Sequence, residues 1–123
     1  MSPKVLIVDD DQATRDGLKQ VLANADYTPI TAASFPDGLQ ALEAEHPDLL
    51  IVDVRLGEYN GLQLVIASDR KVPVIVLTGY ADPVLEGDAR HEGAEYLVKP
   101  VEPAKLLFLI ERMLARPRQQ AEP

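Results

Sequence analysis

Three short hydrophobic runs divide the chain and predict its central strands. They cover residues 5–8, 49–52 and 74–77, and each consists of four apolar residues rich in β-branched types. Continuous runs of this kind, without alternating polar positions, are typical of strands buried on both faces of a parallel sheet. Two weaker strands are predicted at residues 27–31 and 95–98. Pro29 places the first of these at a sheet edge, because proline lacks the N–H that a central strand donates.

The segments between these strands have the length of helical crossovers. Apolar stripes at helical spacing predict one helix within residues 14–25 and a second that begins at Phe35 and ends near His46-Pro47. Shorter helices are predicted over residues 61–68 and 83–91, the latter with Asp82 as its N-cap. A last helix begins at Pro103, since proline fits the first turn of a helix.

Five strands alternating with helices predict an α/β fold, (βα)5, in which right-handed crossovers place helices on both faces of a five-stranded parallel sheet. With Pro29 at an edge, strand order 2-1-3-4-5 fits best, which is the flavodoxin-like doubly wound arrangement. Residues 1–116 are expected to form this domain, and the polar residues 117–123 a disordered tail. Ligands of such folds bind beyond the carboxyl ends of the strands.

The residues that end the predicted strands carry charges or hydroxyl groups. They are Asp9, Asp10 and Asp11 after the first strand, Asp53 after the third, Thr78 with Gly79 after the fourth, and Lys99 with Pro100 after the fifth. Crowded carboxylates raise one another's pKa and favour a bound cation. One or two carboxylates and a phosphate oxygen suit Mg²⁺. A hydroxyl and an ammonium group can hold the remaining phosphoryl oxygens, which leaves one carboxylate free as a nucleophile.

The amino-acid composition argues against several classes of function. The formal net charge of −8 over 123 residues argues against a nucleic-acid partner for this domain alone. The absence of cysteine excludes a disulfide scaffold, a thiolate metal site and a cysteine nucleophile. No apolar run approaches the ~20 residues of a membrane span. We therefore expect a cytoplasmic domain that makes no membrane contact.

Four motifs resemble the receiver domain of two-component response regulators, over about residues 3–116. They are Val5-Leu6-Ile7-Val8-Asp9-Asp10, Asp53 with Gly61 eight residues later, Thr78-Gly79, and Gly93-Ala94-Glu95-Tyr96-Leu97-Val98-Lys99-Pro100. The resemblance implies a phosphorelay switch and not an enzyme acting on a metabolite. Asp53 matches the aspartate that accepts a phosphoryl group from a histidine kinase or a histidine phosphotransfer protein, and the domain itself catalyses this uptake and a slow hydrolysis.

The resemblance also implies roles for the neighbouring residues. Asp9, Asp10 and Asp53, with the backbone carbonyl of Arg55, match the ligands of Mg²⁺, for which Mn²⁺ is the alternative ion. Thr78, Gly79 and Lys99 match the surroundings of the phosphoryl group, Tyr96 matches the switch aromatic, and Lys99-Pro100 matches the family's cis peptide bond. Arg55 and Tyr80 occupy the two positions expected to tune the lifetime of the phosphorylated state. Gly57 stands where many members have proline.

Some residues leave a second interpretation open. Asp9-Asp10-Asp11 also contains the Asp-x-Asp of haloacid-dehalogenase-type phosphatases, in which Asp9 would be the nucleophile; such enzymes usually need a longer chain with a cap. Asp11 is interpreted as the cap of the first helix, and Gly61 as a turn residue with positive φ. Phe108 is expected on the outward face of the last helix, where it is either a lone exposed residue or the anchor of a phosphorylation-dependent homodimer.

Overall fold

The computed structural model describes residues 2–67 and 72–116, and a parallel sheet forms its centre. In chain order its elements are β1 (Lys4–Val8), α1 (Gln12–Asn24), β2 (Thr28–Ala32), α2 (Phe35–Glu45), β3 (Leu49–Asp53), β4 (Arg55–Leu56), β5 (Tyr59–Asn60), α3 (Gly61–Ala67), β6 (Val74–Thr78), α4 (Pro83–His91), β7 (Glu95–Val98) and α5 (Pro103–Leu114). Ser68, the predicted end of the third helix, and the predicted tail 117–123 lie outside the described residues.

The main sheet has the order β2-β1-β3-β6-β7, and every pair of neighbours is parallel. Counted among themselves, its strands follow the order 2-1-3-4-5, so the predicted fold class is confirmed. Pro29 lies on the edge strand β2, paired in register with Val5 of β1. The edge position predicted from the missing proline N–H is therefore correct.

The core consists of two hydrophobic clusters, one on each face of the sheet. Leu6 and Val8 of β1 belong to the cluster covered by α2, α3 and α4. Val5 and Ile7 of the same strand belong to the cluster covered by α1 and α5. Because successive side chains alternate between two buried faces, all four residues are inaccessible to solvent. This double burial explains why the strand reads as an unbroken hydrophobic run.

A small antiparallel hairpin of β4 and β5 follows Asp53, and the sequence pattern did not predict it. Leu56 pairs with Tyr59, and Gly57 in the turn has φ +60°. The Leu56 side chain is buried in the core, and the Tyr59 ring stacks on Phe35 of α2 with centroids 4.5 Å apart. Strands of two residues are too short to show a period of two. Tertiary contacts of the hairpin thus fix a loop that the local pattern leaves undefined.

Two predicted helix caps are confirmed. Asp11 precedes α1, and its side chain accepts hydrogen bonds from the Thr14 N–H at 3.1 Å and the Thr14 hydroxyl at 2.6 Å. These contacts lower the pKa of the Asp11 carboxyl, the side-chain hydrogen bond more than the backbone one. Asp82 caps α4 by accepting the N–H groups of Val84 and Leu85. Asp11 is thus engaged at the helix terminus.

Gly61 is required by space and not by backbone conformation. Its φ is not positive, so the interpretation as a positive-φ turn residue is wrong. A Cβ at this position would collide with the backbone carbonyl oxygen of Asp53 and come within 3.0 Å of the Val52 side chain. The Gly61 N–H also donates to the Val54 carbonyl oxygen at 2.6 Å. The first residue of α3 is therefore packed directly against the end of β3 that carries Asp53.

We expect Gly61→Ala to lower the free energy of unfolding by about 1–3 kcal/mol, because the added methyl group meets backbone that no side-chain rotation can move. Gly17→Ala is the matched control, since Gly17 lies in α1 with nothing within 4 Å of an added Cβ. That change should raise the free energy of unfolding by roughly 0.5–1 kcal/mol. Urea denaturation measures both. Equal stability of Gly61→Ala and the wild type would contradict the steric explanation.

Candidate functional site

Three carboxylates meet where the strands of the main sheet end. One oxygen from each of Asp9, Asp10 and Asp53 lies within 4.8 Å of the others. Asp9 and Asp53 are buried, whereas Asp10 is exposed. Asp53 ends β3, and Asp9 and Asp10 directly follow β1, its neighbour in the sheet. Parallel strands bring their carboxyl ends to one edge, which assembles residues far apart in sequence.

Lys99 connects two of these carboxylates. Its ammonium group donates to Asp9 Oδ2 at 3.0 Å and to Asp53 Oδ2 at 3.1 Å. The residue follows β7, which lies two places from β3 in the sheet, so the side chain reaches across the end of β6. The peptide bond between Lys99 and Pro100 is cis. One ammonium group thus compensates part of the charge of three carboxylates.

Burial and charge shift two pKa values in this cluster. Burial raises the pKa of Asp9 most strongly, and the negative charge of Asp53 acts in the same direction, against the opposing hydrogen bonds from the Asp11 N–H and Lys99. For Lys99, burial alone would lower the pKa, but the hydrogen bonds and charges of Asp9 and Asp53 outweigh it. The pKa of Lys99 therefore lies above its ordinary value of 10.5, and the side chain remains an ammonium ion at neutral pH.

Each carboxylate also accepts a backbone N–H. Asp9 Oδ1 accepts from Asp11 at 2.9 Å, Asp53 Oδ1 from Arg55 at 3.2 Å, and Asp10 Oδ2 from Gly57 at 3.2 Å. Sequence reasoning missed these three donors, since a backbone N–H is present at every residue except proline. Gly57, which departs from the proline that the family resemblance implies at this position, was the one available signal. Amides of two loops thus fix the orientation of the acidic side chains.

The hydroxyl groups of Thr78 and Tyr96 share one acceptor. The Thr78 hydroxyl donates to the Tyr80 carbonyl oxygen at 3.1 Å and accepts the Tyr80 N–H at 3.2 Å. The Tyr96 hydroxyl donates to the same carbonyl oxygen at 3.2 Å and accepts the Asp82 N–H at 3.0 Å. Both side chains thus hold the loop between β6 and α4. Gly79 in this loop has nothing within 4 Å of an added Cβ, so its surroundings are open.

Two large side chains meet at the rim of the site. The Arg55 guanidinium lies over the Tyr80 ring, 5.5 Å from its centroid, in a cation–π contact. Tyr80 is 69% exposed, and such contacts at exposed sites are worth about 0.5–1 kcal/mol. Arg55 belongs to β4 and Tyr80 to the loop before α4. The pair therefore links the loops that follow β3 and β6.

Phe108 lies away from this site, on the outward face of α5, as the helical spacing predicts. It is 63% exposed, and the Arg112 guanidinium lies 5.8 Å from its ring centroid. Leu106, Leu109 and Ile110 of the same helix are buried against the sheet. In the part of the chain that the structure describes, no helix combines the length and hydrophobicity needed to cross a membrane.

We expect Asp9→Asn to raise the free energy of unfolding at neutral pH in the presence of a chelator. A carboxyl whose folded pKa is raised loses stability as pH rises from the unfolded pKa, here 3.8, through the folded one. The cost therefore grows as pH rises above 3.8 and vanishes in acid. The variant should be more stable than the wild type at pH 7 and equal to it near pH 3 in urea denaturation. A gain that is the same at both pH values would point to another cause.

The comparisons with known proteins agree with this geometry. An uncharacterised response regulatory protein of Staphylococcus epidermidis is 34% identical over 123 residues, which cover 93% of this chain and 49% of that protein. The transcriptional regulatory protein HptR of Staphylococcus aureus is 34% identical over 116 residues, covering 90% of this chain and 46% of that protein. This chain spans about half the length of these curated relatives.

Solved structures show the same fold. A CheY-like response regulator receiver domain protein from Methanospirillum hungatei has a TM-score of 0.87 at 33% identity, covering 93% of this chain and 94% of that one. The chemotaxis response regulator CheY4 of Vibrio cholerae has a TM-score of 0.83 at 29% identity, covering 92% and 99%. The family model of the response regulator receiver domain matches residues 5–111. The chain therefore belongs to the response regulator receiver domain family of two-component signalling.

Proposed function

We propose that this domain is a phosphorylation-controlled signalling switch that accepts a phosphoryl group on Asp53 from a histidine kinase or a histidine phosphotransfer protein. The observation that carries this proposal is the position of Asp53. Its carboxylate accepts a hydrogen bond from the Lys99 ammonium group and lies next to the carboxylates of Asp9 and Asp10. A phosphoryl group on Asp53 would lie beside a fixed positive charge. We place this activity in the cytoplasm, without membrane or nucleic-acid contact by the domain itself.

The donor set fits Mg²⁺. Asp9, Asp10 and Asp53 offer only oxygen atoms, within 4.8 Å of one another, and a few carboxylates with water and a phosphate oxygen are the usual surroundings of this ion. Mn²⁺ accepts the same ligands. The backbone carbonyl of Arg55, directly beyond β3, would add a fourth protein oxygen. When bound, the ion would neutralise part of the carboxylate charge and polarise the phosphoryl oxygens.

The protein's own groups account for the transfer. A carboxylate oxygen of Asp53 attacks phosphorus, an oxygen–phosphorus bond forms, and the phosphorus–nitrogen bond to the donor imidazole breaks. The Lys99 ammonium stabilises the charge on the phosphoryl oxygens. Gly79 has no side chain of its own, and the space where its Cβ would lie is open. Slow hydrolysis reverses the state: water attacks phosphorus, inorganic phosphate leaves, and the Asp53 carboxylate is restored.

The shared acceptor of Thr78 and Tyr96 supports a way to report phosphorylation. For its hydroxyl to reach a phosphoryl oxygen, Thr78 must give up its hydrogen bonds to Tyr80. The Tyr80 carbonyl, which also holds the Tyr96 hydroxyl, then moves relative to β7. Tyr96 reorients with it, so the change at Asp53 is passed to the surface formed by α4, β7 and α5. A phosphoryl group shifts the population because it binds only the rearranged state.

The test is phosphorylation by a small donor. Purified protein with Mg²⁺ and radiolabelled acetyl phosphate should take up label at Asp53, and Asp53→Asn should abolish the uptake. Asp88→Asn is the control, since Asp88 is an exposed aspartate on α4. Label located at Asp9 would instead indicate the phosphatase reaction, which the capping role of Asp11 argues against. If the wild-type protein takes up no label, the proposal is overturned.

The contact of Arg55 with Tyr80 should set the lifetime of phospho-Asp53. Both side chains flank the path by which water approaches phosphorus, so we expect Tyr80→Ala to shorten the half-life several-fold. Arg55→Ala should shorten it as well, and the double variant should add little, because the two residues act through one contact. Lys105→Ala, at an exposed position of α5 remote from the site, is the control. If the half-life of phospho-Asp53 is unchanged in both single variants, the contact of Arg55 with Tyr80 does not set it.

Phosphorylation is further proposed to strengthen a homodimer contact centred on Phe108. An exposed aromatic under an arginine is the kind of anchor enriched at interfaces. Sedimentation with the phosphoryl mimic beryllofluoride should show association of the wild type and weaker association of Phe108→Ala. Lys105→Ala, an exposed position on the same helix, should retain it. Equal association of all three proteins would leave Phe108 without a role in dimerisation.

A further inference from the structure

Gly57 occupies the first position of the two-residue turn that joins β4 and β5. Its φ is +60°, and Leu56 before it pairs with Tyr59 after the turn. Glu58 is not among the residues with positive φ, so the pattern matches a type II′ turn, in which glycine is favoured at the first central position. A proline, with φ fixed near about −65° and without an N–H, is incompatible with this turn.

The N–H of Gly57 points at an acidic side chain of the loop that follows β1. It donates to Asp10 Oδ2 at 3.2 Å, across 47 positions of the sequence. The hairpin that carries this N–H is held independently of Asp10, by the Leu56 side chain in the core and by the stacking of Tyr59 on Phe35. The donor is therefore fixed in place, whereas Asp10 is exposed.

We infer that Gly57 is a positioning residue, whose backbone N–H orients the Asp10 carboxylate before the cation binds. The inference rests on the proposed metal site of Asp9, Asp10 and Asp53. A hydrogen bond to an ionised carboxylate is stronger than one between neutral groups, so it restricts the rotamers of an exposed side chain. Each carboxylate oxygen has more than one lone pair, which leaves Asp10 able to accept the N–H and to bind the ion at once.

The first experiment compares three variants at Gly57, where an added Cβ meets open space but the positive φ strains residues other than glycine. Mg²⁺ dissociation constants are measured by calorimetry, and the free energy of unfolding is measured separately in chelator. Gly57→Pro removes the N–H and should weaken Mg²⁺ binding about tenfold, as loss of an outer-shell partner typically does. Gly57→Asn keeps the N–H and tolerates positive φ, so its affinity should stay within about twofold of the wild type.

Gly57→Ala separates the hydrogen bond from strain. It keeps the N–H but disfavours positive φ, so it should lose stability in chelator and retain most of the Mg²⁺ affinity. Alanine and proline variants that weaken binding equally would overturn the inference, as would a proline variant that binds like the wild type. A wild type that does not bind Mg²⁺ would refute the metal site itself. Wild-type binding with unchanged variants refutes only the role of Gly57.

A spectroscopic measurement keeps the inference testable if the proline variant does not fold. The Gly57 amide proton of metal-free protein should move upfield in Asp10→Ala, because the charged acceptor is gone. Glu58→Ala, next to the donor in the same turn, should leave that resonance nearly unchanged. A Gly57 resonance at the same position in the wild type and in Asp10→Ala would contradict the hydrogen bond and overturn the inference.

Discussion

The hydrogen bonds of Lys99 to Asp9 and Asp53 are the interaction on which the site depends. They join residues 90 and 46 positions apart, at 3.0 and 3.1 Å, from the ends of β7, β1 and β3. Only a parallel sheet with these strands close together brings the three side chains to one edge. Asp9 is fully buried, and a buried carboxylate without a partner is strongly unfavourable. The ammonium group makes this burial tolerable, and it holds Asp53, the proposed phosphoacceptor, in the same arrangement.

Backbone groups determine the finer geometry of the site. Three N–H donors, from Arg55, Gly57 and Asp11, each orient one carboxylate, and the carbonyl oxygen of Tyr80 accepts two hydroxyl groups. These groups lie on loops whose positions are fixed by the core, as for Leu56 in the hairpin. A rigid sheet thus supplies the charged side chains, and the loops supply their orientation.

The fold and the composition of the site could be predicted because each has a local signature. Double burial produces unbroken hydrophobic runs such as 5–8, and Pro29 identifies an edge strand. Charged residues directly after such runs identify the site, because the carboxyl ends of parallel strands lie at the same edge of the sheet. The hairpin was missed because strands of two residues are too short to show an alternating pattern. The need for glycine at position 61 was explained by a positive φ, whereas the structure shows that the nearby Asp53 carbonyl oxygen leaves no room for a side chain. Contacts between distant backbone atoms leave no pattern in the sequence.

The ion pairs at the two ends of β7 differ in how far they are shielded from solvent. Glu95 pairs with Arg116 at 3.0 Å and with Arg90 at 4.0 Å, linking β7 to the segment after α5 and to α4. Both arginines are about half exposed, and exposed ion pairs contribute only about 0–1 kcal/mol. The Lys99 contacts at the other end of the strand are far more shielded. Rearrangement therefore costs less on the outer surface of α4, β7 and α5 than at the acidic cluster, which supports the proposal that a change at Asp53 moves that surface.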